Sequence, residues 1–597
     1  MRSSRISGLI VSLVTLTAPA FGQESADAVA PEGATDGQVQ VLTENLVASL
    51  DAKIAGIPVQ SDNWMVVAAN PLAVEAGAQV LRAGGSAADA MVAVQVVLGL
   101  VEPQSSGLGG GAFLVWYDAA SDTLTTLDGR ETAPLAAKPT LFQNADGEPL
   151  DFFDAVVGGL SVGTPGTPAL LAEAHRRWGR SPWPGLFSDG IRLAEDGFLV
   201  SPRLASLVEL DAERLSRFPQ TAAYFLPDGV PLQQGQRLTN PDYAKTLRVL
   251  VSQGAAGFYG GDIASDIVRT VRTAPGNPGV LSGTDLALYQ VIERDPVCAA
   301  YRAYEVCGMG PPSSGALTVG QILGMLNSYD LAEMGPDSIE AWRLIAEASR
   351  LAFADRGRYM ADEDFVPMPT KGLLDPDYLS RRAGLLDAQK ALTEVSPGTP
   401  EFDHALNWAD DESLELPSTS HISIVDAYGN VLSMTTTIEN AFGSRLMTNG
   451  FLLNNELTDF SFRTHRDGVP IANRIEPGKR PRSSMSPTIV MQDGAPVLAI
   501  GSPGGSRIIG YVAKSIIAWA DWGLDVQQAV SLPHLVNRFG AYDVEIETAA
   551  EGYGDALIEL GFEVVSRDLT SGLHAIEIRD GLYGGADPRR EGIALGE

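Results

Sequence analysis

Helical and strand-like periodicities occupy different stretches of this 597-residue chain, and that segregation predicts an α+β fold. Three observations carry the expectation. Between about Ala169 and Leu392, amphipathic helical spacing dominates, broken by Pro and Gly loops. From about Ser420 the texture changes to short β-type runs, HISIVD, NVLSMTTTIE, GFLLNN, PTIVMQ and VLAIGSP. Ahead of both lies a strand, helix, helix, strand series between Met65 and Asp118.

The elements follow in order. Residues 23 to about 60 are polar and poor in aromatics, which predicts a loosely held lead-in. MVVAAN from Met65 reads as a strand, and PLAVEAGAQVLRAGG as a helix that Gly84-Gly85 stops. Ser86, with Asp89 in place of the usual capping-box Glu, starts a second helix that runs Ala-rich to about Leu100. The SSGLGGGAF loop then leads into the strand FLVWYD. In PVCAAYRAYEVCG, a two-residue turn at Arg302-Ala303 would place Cys298 and Cys307 directly opposite each other, about 4.5 Å apart at Cα in a non-hydrogen-bonded pair. That spacing admits a disulfide and equally admits two small buried hydrophobes. In HISIVDAYGNVLSMTTTIE, pairing Val425 with Val431 across a turn at Ala427 to Asn430 puts Thr419 opposite Thr437, with Thr435 and Glu439 on the same side by period two. The threonines could be ordinary strand formers on a half-buried surface.

Composition narrows function. The chain is 45% hydrophobic, enough for a full-sized core in one large unit or up to about four domains. Forty-two basic against 74 acidic residues give a net charge of −32, a field that repels phosphate backbones and anionic lipid, so no nucleic-acid or membrane partner is expected. Two cysteines and six histidines, with no H-E-x-x-H pair, leave no metal site to expect. The N-terminus, MRSSRISGLIVSLVTLTAPAFG, has Arg2 and Arg5 ahead of a short apolar run and small residues at Ala18, Ala20 and Gly22. It reads as a secretory signal peptide, residues 1–22, which predicts a periplasmic or secreted protein. Two motifs mislead. Gly107, Gly109 and Ala112 match a dinucleotide fingerprint but follow a helix and precede a strand, the reverse of the required order. Gly159-Leu160-Ser161-Val162-Gly163 matches a serine-hydrolase elbow, but TPGTP stands where its helix should begin.

LPSTSHISIVDAYGNVLSMTTTIENAFGS, GFLLNNELTDFSF, PGKRPRSSMSPT, IGSPGGSRI and YGGADPRREG together resemble the gamma-glutamyltransferase (gamma-glutamyl transpeptidase) family of N-terminal nucleophile hydrolases. AANPLAVEAGAQVLRAGGSAADA, VEPQSSGLGGGAF, DGRETAP, SVGTPGTPALL and PPSSGA agree upstream, in the family order, so the resemblance spans about residues 60 to 597. It implies a four-layer αββα sandwich with two central antiparallel sheets, no cofactor, and a precursor that cuts itself at Ser418-Thr419. The pieces would be a large subunit, 23–418, and a small one, 419–597, forming one catalytic unit. The chemistry explains the cut: a threonine hydroxyl is a weak nucleophile, and cleavage frees its own α-amine, whose pKa of about 8 suits a general base. Thr437 would orient the new N-terminus, and Gly504 and Gly505 would supply backbone N–H groups to the oxyanion. Arg130, assisted by Ser483 and Ser484, would take the donor's α-carboxylate, and Glu439, Glu456 and Asp459 its α-ammonium. His421 matches a family histidine and is read as structural. The implied partners are small γ-glutamyl donors such as glutathione and amino-acid or peptide acceptors. The compact span between Asp459 and Ser483 implies an open pocket for larger donors. Two alternatives remain at this stage: a glutaryl or cephalosporin acylase of the same fold, and an inactive periplasmic binding or scaffold protein.

Overall fold

A computed structural model describes residues 43–404, 407–411, 413 and 415–597; the predicted signal peptide lies outside them. Among the described residues the backbone of the fold is a pair of seven-stranded sheets, antiparallel throughout. One runs edge to edge through Val59–Ser61, Leu582–Ala586, His574–Ile578, Ala495–Gly501, Thr488–Gln492, Tyr304–Gly308 and Val297–Tyr301. The other runs through Ile593–Gly596, Met65–Ala68, Ser420–Val425, Val431–Thr437, Gly111–Asp118, Thr123–Gly129 and Ile292–Arg294.

Strand alternation builds the layers. Met65, Val67, Val115, Val425 and Val431 from one sheet meet Cys307, Ile489, Ala499 and Ile576 from the other, forming an apolar seam between them. The residues between point the opposite way. Val66, Ala68, Ile422, Ile424, Leu432 and Met434 pack on helices Pro71–Arg82 and Ala87–Val101. Val306, Val490, Leu498 and Ile500 pack on Gly315–Leu326, Ile339–Tyr359 and Ile508–Ala520. The result is the expected αββα stack.

Local sequence accounts for the elements that frame the site. Ser86 and Asp89 form the capping box that starts the second helix. The Ser420–Val425/Val431–Thr437 hairpin has the expected register, Val425 opposite Val431, with Asp426 accepting the amides of Tyr428 and Asn430 in its turn. Cys298 and Cys307 pair across their hairpin and form a disulfide. Gly159–Ser161 is a single 3₁₀ turn whose serine hydroxyl donates to the Val156 carbonyl, so the elbow motif is structural.

Two expectations are corrected. The lead-in is partly built: Glu44–Ile54 is a helix whose Leu46, Ser49 and Lys53 are buried, on the stripe facing strand Ile593–Gly596, and Val59–Ser61 pairs with the edge of a sheet. Its polar composition hid a short amphipathic face. The period-two reading of Glu439 also fails, because the strand ends at Thr437 and Glu439 has φ of +75°, a left-handed turn residue. The turn, not the strand, delivers its side chain.

Candidate active site

The two sheets and the loops at one end of them converge on Thr419, which stands just before its strand. Its side chain is buried, and its Oγ1 lies 3.0 Å from Thr437 Oγ1, as the hairpin register requires. The Thr437 hydroxyl also accepts the Glu439 amide at 2.8 Å, which fixes its rotamer. Thr419 itself has φ of +94°. For a β-branched residue this is a strained backbone, held in place only by what surrounds it.

Two contacts do the holding. Gly504 N–H donates to the carbonyl oxygen of Ser418, 3.3 Å away, and Arg590 Nη1 donates to the carbonyl oxygen of Thr419, 3.1 Å away. The Ser418 hydroxyl donates to the Gln104 carbonyl. Gly504 and Gly505 have φ of +139° and +57°. A Cβ on Gly505 would meet the Glu415 and Leu416 carbonyl oxygens at 2.5 Å, so only glycine lets the two backbones lie this close. His421 is buried between Thr435 Oγ1 and Ser423 Oγ, and burial holds it well below the usual histidine range, neutral at physiological pH.

The structure brings nine of the predicted residues to one pocket: Thr419, Thr437, Arg130, Glu439, Glu456, Asp459, Ser483, Ser484 and Gly505. Gly504 and Ser418 hydrogen-bond to each other next in sequence to the lining residues Gly505 and Thr419. Within the pocket, Arg130 is buried and fully engaged, donating to Glu456, to Asp459, and to the carbonyls of Pro481 and Arg482. The sequence reading kept the arginine and the carboxylates for opposite ends of a donor. Here they close on one another, because a buried charge left unpaired is costly. Burial works against the Arg130 charge, but Glu456 and Asp459 more than offset it. The two carboxyls are held between burial, which disfavours their charge, and the guanidinium in direct contact with both, which favours it. Glu439 is pushed up to about 7 by burial, although it accepts from Asn455 and from the Leu416 amide.

Sequence reasoning missed the pocket's other partners. Glu415, four residues before Thr419, accepts from Arg356 and from the Ser484 hydroxyl, so the uncut chain places its own carboxylate on a residue assigned to carboxylate binding. Burial disfavours the Glu415 charge, yet Arg356 and Arg482 hold it below its ordinary value. Arg356 in AFADRG could have been noticed as an arginine among apolar helix positions. Glu131 lies buried behind Arg130, and burial pushes it up to about 8.

Comparison with known proteins gives the family. The gamma-glutamyltranspeptidase family model matches residues 73–597. The glutathione hydrolase proenzyme of Bacillus subtilis is 37% identical over 555 residues, 89% of this chain and 91% of that protein. The acylase ACY 1 proenzyme of Pseudomonas sp. strain SE83 is 34% identical, covering 89% of this chain and 92% of its own. Among solved structures, a cephalosporin acylase from Bacillus halodurans shares the fold with a TM-score of 0.79 at 24% identity, over 90% of this chain and 97% of that one. The fold is that of the N-terminal nucleophile hydrolases. The chain belongs to the gamma-glutamyltranspeptidase family and is an enzyme of hydrolase and transferase type.

Proposed function

We propose that this protein is a glutathione hydrolase and γ-glutamyl transferase that cuts itself between Ser418 and Thr419. The observation that carries the reading is the strained Thr419, with a hydroxyl 3.0 Å from Thr437 and a Gly504 amide already on the carbonyl that must be attacked.

In the precursor, Thr419 Oγ1 attacks the Ser418 carbonyl carbon, and the developing oxyanion rests on Gly504 N–H. The C–N bond breaks, the Thr419 nitrogen takes a proton and leaves as a free amine, and the peptide becomes an ester on Oγ1. Water then cleaves that ester, which frees the Thr419 hydroxyl and a Ser418 carboxylate and leaves Glu415 and Leu416 near a free chain end. The α-amine of Thr419 now removes the proton from its own hydroxyl in each turnover. A γ-glutamyl donor brings its γ-carbonyl to Thr419, with the oxyanion on Gly504 and Gly505. Its α-carboxylate takes over Arg130, with Ser483 and Ser484, as its α-ammonium engages Glu456, Asp459 and Glu439. The acyl ester passes to water or to an amino-acid or peptide amine. A glutaryl donor has no ammonium, so its carboxylate would displace those acidic groups from Arg130 and leave them uncompensated. That argues against the acylase reading despite the acylase relative.

Export is part of the proposal: the N-terminal signal directs the chain to the periplasm or outside the cell. Among the described residues no helix is long and apolar enough to cross a membrane. The deciding experiment is mass spectrometry of purified protein with a γ-glutamyl anilide assay. Fragments beginning at residue 23 and at Thr419, with anilide release, are expected; an active but unbroken chain would overturn the reading. Hydrolysis of polymeric as well as short γ-glutamyl donors would bear out the open pocket, and confinement to short ones would remove it.

A further inference from the structure

The helix Glu44–Ile54 lies before the span matched by the family model, yet its Lys53 reaches across 537 residues of sequence into the catalytic neighbourhood. Its ammonium donates to the main-chain carbonyls of Arg590, at 2.5 Å, and of Gly592, at 2.7 Å. Both acceptors are buried, so removing the donor would strand two polar atoms. Arg590 is the residue whose guanidinium holds the Thr419 carbonyl.

The loop between Asp587 and Gly592 is pinned at two ends. At one, the Asp587 carboxylate accepts from the Ser571 hydroxyl, the Leu573 amide and Arg589. At the other, Lys53 grips Arg590 and Gly592. There is no slack beyond it: a Cβ on Gly592 would meet His574 Nε2 at 2.3 Å and the Ala68 carbonyl at 2.7 Å. A shift of the loop therefore transfers to the arginine, and from the arginine to the peptide that carries the nucleophile.

We propose that Lys53 is a positioning residue for the nucleophile, clamping the main chain of Arg590 so that its guanidinium keeps the Thr419 peptide in the orientation that attack requires. The inference rests on the reading of Thr419 as the nucleophile. The charged and titratable groups facing Lys53 are Asp587 and Glu591, which favour its proton, and Arg590 and His574 nearby. Burial pushes the amine down to about 8, so it remains protonated at neutral pH.

The test uses the full-length chain with Lys53→Met and Lys53→Gln. Measured are the rate of self-cleavage in freshly made precursor, kcat and KM for a γ-glutamyl anilide, and the thermal midpoint. The methionine variant is expected to lose roughly tenfold or more in both rates, well below its melting temperature, with donor KM unchanged, because a small displacement of a reacting group suffices for such a loss. Glutamine keeps an N–H donor and should fall between. A folded methionine variant with wild-type rates, or one that loses activity only through KM or through melting, overturns the proposal. If the methionine variant does not accumulate, the glutamine variant decides: lowered kcat at unchanged KM supports the clamp, and wild-type kcat refutes it. A wild-type chain that neither cuts itself nor releases anilide would instead sink the assignment of Thr419.

Discussion

The two halves of the pocket are made of opposite materials. Around Thr419 the contacts are hydroxyls and backbone, Thr437, the Gly504 amide and the Ser418 carbonyl, with the Arg590 guanidinium on the Thr419 carbonyl. Around Arg130 they are buried charges, Glu456 and Asp459, with Glu439 lining the same wall. The contrast teaches a division of labour. On the proposed reading, bond-making uses a nucleophile whose base appears only after cleavage, so no ionised side chain need sit beside it beforehand. Recognition of a zwitterionic head needs both signs of charge, and until a donor arrives those charges satisfy each other.

If the division holds, variants on each side fail differently. Thr419→Ala should abolish both self-cleavage and anilide release, leaving one unbroken chain on a denaturing gel. Arg130→Met should raise donor KM by at least about 100-fold and cost roughly 3–5 kcal/mol of stability in urea unfolding, since it strands Glu456 and Asp459. Self-cleavage of that variant, judged on the folded fraction, should survive; its loss would break the contrast. Thr437→Val should slow cleavage and kcat by roughly 100-fold, the loss that a small misplacement of a reacting group brings, with KM little changed.

A smaller effect concerns pH. Glu439 sits at about 7 in the folded chain, above its ordinary 4.5, so folding favours its protonated form. Its contribution to stability is complete below about pH 4.5 and disappears as pH rises through 7, a span worth on the order of 3 kcal/mol. In the uncleavable Thr419→Ala background, Glu439→Gln should flatten that slope in unfolding curves taken from pH 4.5 to 7. Replacing Cys298 and Cys307 by serine should cost about 2–3 kcal/mol of stability for so short a loop and leave kcat untouched, because their hairpin lies at the far edge of its sheet.

What could be read from sequence was whatever short-range pattern determines. Alternation and one turn were enough to place Thr419 opposite Thr437 and Cys298 opposite Cys307. The Ser86 cap and the flanking helices were legible for the same reason. Arg130, the acidic trio, the serine pair and the glycines came from resemblance, and their convergence depends on loops separated by more than 300 residues, as between Arg130 and Glu456. No local signal shows Glu415 turning back onto Ser484, or Lys53 reaching Arg590. Those contacts exist only after both sheets have assembled. Glu439 marks the boundary: right pocket, wrong geometry, because period two was extended two residues past Thr437, where the strand ends.

Neighbouring strands within each sheet come from opposite sides of the Ser418-Thr419 bond. Met65–Ala68 lies against Ser420–Val425, Val431–Thr437 against Gly111–Asp118, and Thr488–Gln492 against Tyr304–Gly308. Made separately, either piece would be born with raw, sticky borders in the middle of what should be a continuous surface. Mixing halves from two separate preparations should therefore yield precipitate, not enzyme, and a single translation product is the practical route by which two such partners can meet.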